Sequence, residues 1–288
     1  MFAISSLLEI LFAPFFMGVA GIVIFGRTIK FHSVPGLLFH SVSPENRQIT
    51  LSSIPVSRFK SIVYYLKMNN FSSLTISEAS SADIIPASPR HVLLTFDDGC
   101  RSFCTQALPL LEELKIKATI FPVAGYLGKS SSWDIMPLVA HLTKSEVREI
   151  SDLGHEIGSH SLTHADLTYL GVSDLSAELT DSKKILEDVT GKEVISLSFP
   201  YGSWNTRVWE RAREIGYRNG TIYRKHRRIL PGLFPVYGVY NFDTPPDILS
   251  RIAPKHPLSL SVSIARIMSH FAKGAPLWKF DKKYKLCR

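Results

Sequence analysis

The chain has 288 residues, 45% of them hydrophobic, and a formal net charge of +8. A chain of that length can bury a sizeable core without disulfide staples. The three cysteines, Cys100, Cys104 and Cys287, are an odd number without regular spacing, which excludes a disulfide framework. The first 30 residues form an apolar N-terminal segment. Its run from Ile10 to Gly26 carries no charge, contains Pro14, follows Glu9 and precedes Arg27 and Lys30. It is short for a membrane-spanning helix, which needs about 20 residues, and it lacks the basic start of a secretory signal. The favoured expectation is a membrane-associated or re-entrant helix and a place at the membrane or cell envelope. The alternative is a helix packed on the rest of the chain, and a cytoplasmic protein. If the run spans, the positive charges after it favour a cytoplasmic body.

Residues 31–274 read as one α/β domain. Short apolar runs at 37–39, 92–96, 118–122, 156–159, 195–199, 217–222 and 236–240 predict strands. Helical patterns lie between them at 56–67, 102–114, 173–189 and 206–215, the last two stopping at Gly191 and Gly216. Thr143-Lys144-Ser145-Glu146 reads as a capping box opening another helix that stops at Gly154. Cys100 and Cys104 share a helix turn in this reading and are reduced packing residues. Segment 243–274 holds Pro245, Pro246, Pro254 and Pro257, then a short helical pattern near 261–271, and is expected to close the domain. Residues 275–288 form a basic tail expected to be irregular. Strands alternating with helices predict parallel βα units in a barrel or an open sheet.

The excess positive charge is local. Arg218, Arg224, Lys225, Arg227 and Arg228 form one cluster, and the tail from Lys279 to Arg288 another. Two readings stay open, a solvated basic face or contact with an anionic membrane surface or polymer. No nucleic acid partner is expected, because no binding motif for one accompanies the charge.

The chemistry concentrates at strand ends. Four predicted strands run into polar groups that bind metal or move protons: His40 after the first, Asp97-Asp98-Gly99 after the second, His160 and then His164 after the fourth, and Pro200-Tyr201-Gly202 after the fifth. In a parallel α/β fold these ends share one face. Adjacent carboxylates repel and call for a cation, although a solvated Asp-Asp-Gly turn is the bland alternative. Asp97 and Asp98 point different ways at a strand end, so one can bind a metal ion while the other faces substrate. If 161–164 opens a helix, His160 and His164 reach the same side. Two histidines and a carboxylate leave coordination positions open for water, as catalytic zinc sites require. His91, His141 and His155 read as structural.

These residues resemble a known family. Thr95-Phe96-Asp97-Asp98-Gly99, His160-Ser161-Leu162-Thr163-His164 and Ser198-Phe199-Pro200-Tyr201-Gly202-Ser203-Trp204-Asn205 are similar to three motifs of the polysaccharide deacetylases, the NodB-homology carbohydrate esterases, in the family's order. The resemblance implies an irregular (β/α)7 barrel, TIM-barrel-like, with residues 31–274 as its catalytic domain. It implies one divalent metal ion, zinc or else cobalt or nickel, on Asp98, His160 and His164, and Asp97 as general base. The Tyr201 N–H would help bind the oxyanion, and Pro200 and Trp204 would lie on the substrate side. Trp204 and Tyr201 are candidates for stacking on a sugar ring, with loop packing as the alternative for Trp204. Leu37-Leu38-Phe39-His40 resembles the early strand of a circularly permuted branch that includes poly-N-acetylglucosamine deacetylases, which assigns the general acid to His40. The family's late Leu-x-His motif has no convincing copy here, since His256 and His270 stand in other contexts, and its late Asp-Trp motif is not evident. Ser198 stands where the family usually has an arginine. The implied activity is removal of N-acetyl groups from an amino-sugar glycan. The competing classes are another amide hydrolase or an O-deacetylase on the same scaffold, a catalytically silent glycan-binding protein, and a membrane-bound assembly component.

Overall fold

Gly36–Phe39 is buried along its whole length, so it belongs inside a sheet covered on both faces, as parallel strands are. In the computed structural model, which describes residues 34–45, 52–81, 90–131, 139–223 and 230–252, this strand has a parallel neighbour on each side. In chain order the strands are β1 Gly36–Phe39, β2 Ser41–Ser43, β3 Ser53–Pro55, β4 Phe71–Leu74, β5 Arg90–Phe96, β6 Thr119–Ile120, β7 Glu156–Ile157, β8 Ser196–Ser198, β9 Asn219–Tyr223 and β10 Leu233–Gly238. The helices are α1 Val56–Met68, α2 Ile76–Ser81, α3 Leu108–Glu113, α4 Lys144–Asp152, α5 Val172–Thr190, α6 Thr206–Ile215 and α7 Pro245–Ile252. The apolar run 10–26, the basic residues 224–228, the helical pattern near 261–271, His256, His270 and the tail fall outside the described residues. Among the described residues no helix is long and apolar enough to cross a membrane.

The main sheet runs β7-β6-β5-β1-β10-β9-β8, with every pairing parallel. β4 adds to the N-terminal half of β5, and β2 and β3 form a separate pair. Ser159 joins the two ends of this path. Its N–H donates to the Ser196 carbonyl at 2.8 Å, and its carbonyl accepts from the Ser198 N–H at 2.9 Å. Seven parallel strands therefore close into the expected barrel. The closure is tight: a Cβ on Gly158 would stand 2.3 Å from the Phe121 ring and 2.9 Å from the Ser196 carbonyl, so only glycine passes.

Apolar residues at helical spacing hold the outer layer on. α1 buries Phe59, Ile62, Val63 and Leu66, one face of a helix. Phe59 meets Phe39 edge-on, Phe39 stacks on Phe96 at 5.1 Å, and Phe96 meets Phe103 at 4.8 Å. This aromatic column lies directly under the ends of β1 and β5. Truncating one such ring to alanine costs about 3–5 kcal/mol.

Several boundaries shift for local reasons. The helix expected at 102–114 starts as a wide π turn, Phe103–Ala107, before α3. Pro109 sits in the first turn of α3 and has no N–H to give to the preceding turn, so the chain cannot wind as one α-helix there. The capping box forms as expected, with Thr143 accepting from the Glu146 N–H and Glu146 accepting from that of Thr143. The strand expected at 156–159 keeps only Glu156–Ile157 as a ladder, because its last residues turn to close the ring. α7 lies in the proline-rich stretch, and its two prolines occupy the first turn, where no N–H is needed.

Candidate metal centre and active site

β1, β5, β7 and β8 deliver their C-terminal ends to one mouth of the ring. After Phe96 the chain turns at Asp98, whose φ is 66°. That left-handed residue makes the two carboxylates diverge. Asp97 Oδ2 accepts from Ser198 Oγ at 2.9 Å, whereas Asp98 Oδ1 lies 3.4 Å from His164 Nε2 and 3.5 Å from His160 Nε2. Four of the six non-glycine residues with positive φ among the described residues, Asp98, Ser161, His164 and Tyr201, stand here. Backbone strain of this kind persists where surrounding structure imposes it, and it clusters at functional sites.

The expectation that residues 161–164 open a helix is not met. Ser161 and His164 both have a φ of 64°, and the segment is a turn tied by the His164 N–H to Ser161 Oγ at 3.1 Å. Short polar side chains offer the backbone these local bonds in place of helical ones. The imidazoles still meet, with ring centroids 5.0 Å apart. His160 Nδ1 faces the Ser198 carbonyl at 2.9 Å, which makes Nδ1 the donor and leaves the Nε2 lone pair aimed into the site. His141 Nδ1 likewise donates to the Asp98 carbonyl at 2.8 Å, a structural role that steadies the carboxylate's backbone.

Ligand atoms of Asp98, His160 and His164 all lie within 4.8 Å of one another. One carboxylate and two imidazoles suit a divalent ion and leave positions open beside it. The protonation states suit it as well. Burial opposes the Asp98 charge, but the His164 hydrogen bond and the histidines His40, His164 and His160 overcome it and hold the carboxyl well below the usual carboxylate range. Burial, reinforced by His164, pushes His160 down to about 3, so its imidazole is neutral. Asp97 moves the other way. Burial and the neighbouring Asp98 raise its pKa well above an ordinary carboxyl, only partly offset by Ser198. Its Oδ1 is buried without a hydrogen-bond partner. A buried oxygen left so costs about 1–3 kcal/mol, which marks a place where a ligand or substrate proton belongs.

His40 follows β1, and its field acts on both Asp98 and His160, so the ring lies at the same mouth. Its Nδ1 is buried and unpartnered. Pro200 is buried, and Tyr201 takes a φ of 60° that sets its ring edge-on to His164 at 4.6 Å. Trp204 is half-buried against the core, stacked with Phe199 at 6.2 Å.

Tyr223 belongs to this mouth and was not among the expected site residues. A Cβ on Gly202 would stand 2.2 Å from its ring, so Tyr223 covers the Pro-Tyr-Gly turn. Burial, Tyr240 and the two aspartates push its phenol well above its ordinary range, which keeps it protonated. The strand-end rule could have found it, but the expected strand stopped one residue short, at Ile222.

Known proteins resemble this chain in sequence and fold. The family model described as polysaccharide deacetylase matches residues 85–220. YxkH of Bacillus subtilis, named for polysaccharide deacetylation, is 29% identical over 231 residues, 74% of this chain and 78% of its own length. The chitooligosaccharide deacetylase of Rhizobium leguminosarum bv. trifolii is 28% identical over 148 residues, 51% of this chain and 60% of its own. A Streptococcus pyogenes deacetylase solved with acetate shares the fold at a TM-score of 0.64 and 22% identity, over 77% of this chain and 98% of that one. The motifs, the barrel and these likenesses agree with one another, and over residues 85–220 the chain matches the polysaccharide deacetylase family of hydrolases.

Proposed function

We propose that this chain is a metal-dependent hydrolase that removes N-acetyl groups from an amino-sugar glycan and releases acetate. The observation that carries the reading is the gathering of Asp98, His160 and His164 ligand atoms within 4.8 Å, beside a second carboxylate with an open oxygen. The printed names of relatives, a chitooligosaccharide deacetylase and a peptidoglycan-N-acetylglucosamine deacetylase of Bacillus cereus, support the substrate class. Zinc is the ion we favour for this donor set, with cobalt and nickel as substitutes. Held there, it would polarise the amide carbonyl and make water acidic enough to attack near neutral pH.

The chain's own residues divide the proton work. Asp97, aimed by Ser198, takes the proton of the attacking water through its open Oδ1. The Tyr201 N–H donates to the oxyanion from a turn fixed in place by its left-handed residue. His40 delivers a proton to the departing amine, a group too basic to leave without one. Placement of β1 between β5 and β10 brings His40 to the mouth and supports the permuted arrangement. The apolar run 10–26, with Arg27 and Lys30 after it, supports a place at the membrane or cell envelope.

The test is acetate release from N-acetylglucosamine oligomers and from O-acetylated glycans, with and without a chelator. Chelator-sensitive release from the N-acetylated oligomers is expected. Release from O-acetyl substrates alone, or release unaffected by complete metal removal, would overturn the proposal.

A further inference from the structure

The turn between the two histidines has one bond of its own, from the His164 N–H to Ser161 Oγ, and is otherwise held from outside. Left-handed residues such as Ser161 and His164 cost about 1–3 kcal/mol each unless their surroundings impose them. The surroundings do so from two edges. On one, the carbonyls of Ser161 and Leu162 accept from the Ala124 and Gly125 N–H groups at 3.1 and 2.8 Å. On the other, the N–H groups of Leu162 and Thr163 both donate to Glu178 Oε2, at 2.9 and 3.0 Å, and Thr163 Oγ1 donates to Glu178 Oε1 at 2.5 Å. Glu178 comes from the first half of α5, a separate element, and is buried. A buried carboxylate needs such partners, and the adjacent Leu162 and Thr163 N–H groups, which have no ladder or helix to join, supply two of them. His160 enters this turn and His164 ends it, so the three Glu178 bonds, together with those from Ala124 and Gly125, set the span between the two imidazoles.

We infer that Glu178 is a positioning residue: through the 162–163 backbone it holds His160 and His164 at the separation a divalent cation requires. The inference rests on the metal-site reading above and deepens it. Glu178 touches no reacting atom. Its role is to supply acceptors on the far side of the turn, and charge is secondary. A glutamine in its place keeps the pattern, because its Oε1 accepts both N–H groups while its Nε2 donates to Thr163 Oγ1. An alanine leaves the N–H groups unpaired and the turn free to relax.

The experiment compares parent, Glu178→Ala, Glu178→Gln and Glu178→Asp proteins. Zinc affinity is read by competition with a chromophoric chelator, the ligand geometry by the Co2+ d–d absorption spectrum, and folding by circular dichroism of the metal-free proteins. Glu178→Ala is expected to bind zinc about 10–100-fold more weakly, the usual size of such outer effects, with an altered Co2+ spectrum. Glu178→Gln is expected to stay within about threefold of the parent with the parental spectrum. If Glu178→Ala does not fold, Glu178→Asp decides, since its carboxylate stops one methylene short; about tenfold weaker binding is expected. A folded Glu178→Ala, or Glu178→Asp in its place, with parental affinity and spectrum overturns this inference alone. Glu178→Gln falling as far as Glu178→Ala overturns the hydrogen-bond basis. A parent that binds no divalent ion overturns the metal-site reading and this inference with it.

Discussion

Two carboxylates at opposite ends of the same barrel show what separates structure from chemistry. Glu156 begins β7, away from the mouth, and both its oxygens are engaged: Ser77 donates through N–H and hydroxyl at 2.9 and 2.6 Å, Thr119 at 3.0 Å and Ser196 at 2.5 Å. It ties α2, β6, β7 and β8 together. Asp97 follows the end of β5, receives one hydrogen bond and keeps a buried oxygen without a partner. A satisfied polar network rigidifies, whereas a native group left partly unsatisfied calls for a functional explanation. The opposite end of the barrel is built for stability, and the mouth holds back bonding capacity for something not part of the chain.

Substitutions at the two ends should therefore fail differently. The largest effect is expected from His160→Ala, which removes one imidazole from the three ligands. Bound metal and turnover should fall together, turnover by about 10³-fold or more, with metal content and acetate release measured on the same sample. Asp97→Asn should keep the metal and the fold yet lose about 10²–10⁴ in turnover; full activity in that variant would remove Asp97 as the base. His40→Ala should lower turnover on amides by about 10²-fold, and less on activated acetyl esters, whose leaving groups need no proton. Equal losses on the two substrate types would count against the acid role. Ser198→Ala removes the one hydrogen bond that aims Asp97. It should cost about 0.5–1.5 kcal/mol in activation free energy, about two- to twelvefold in kcat, with unfolding temperature little changed. Glu156→Ala gives the reverse signature and the smallest kinetic effect: about 1–3 kcal/mol off the unfolding free energy, and kcat per folded molecule within about twofold of the parent. A matching loss of kcat would show that the two ends are not separable.

The same contrast explains what could be read from the sequence. Apolar runs ending in His40, Asp97-Asp98, His160 and Pro200-Tyr201 were legible because a parallel barrel must bring strand ends to one face, whatever their distance along the chain. The helices with strong caps, Thr143–Glu146 at the start of α4 and Gly216 after α6, fell where local chemistry puts them. The turn at 161–164 was misread because residues four apart satisfy a helical pattern as well as a clamped turn, and the clamp, Glu178, comes from elsewhere in the chain. Ser198 was visible as a departure, but its hydrogen bond to Asp97 spans 101 positions and depends on the ring being closed. Tyr223 escaped because one residue at a strand boundary decided whether it faced the mouth. Trp204 stacks on Phe199, a contact the sequence could not show, since an aromatic beside a motif has no sequence signal for which way its ring turns.

The most direct measurement is the metal content of the purified chain combined with X-ray absorption at the zinc edge. The account predicts one zinc per chain, bound by two imidazole nitrogens and carboxylate or water oxygens at about 2.0–2.2 Å. A folded protein that takes up no divalent ion, or one whose spectrum shows sulfur from Cys100 or Cys104 in place of imidazole, would contradict it.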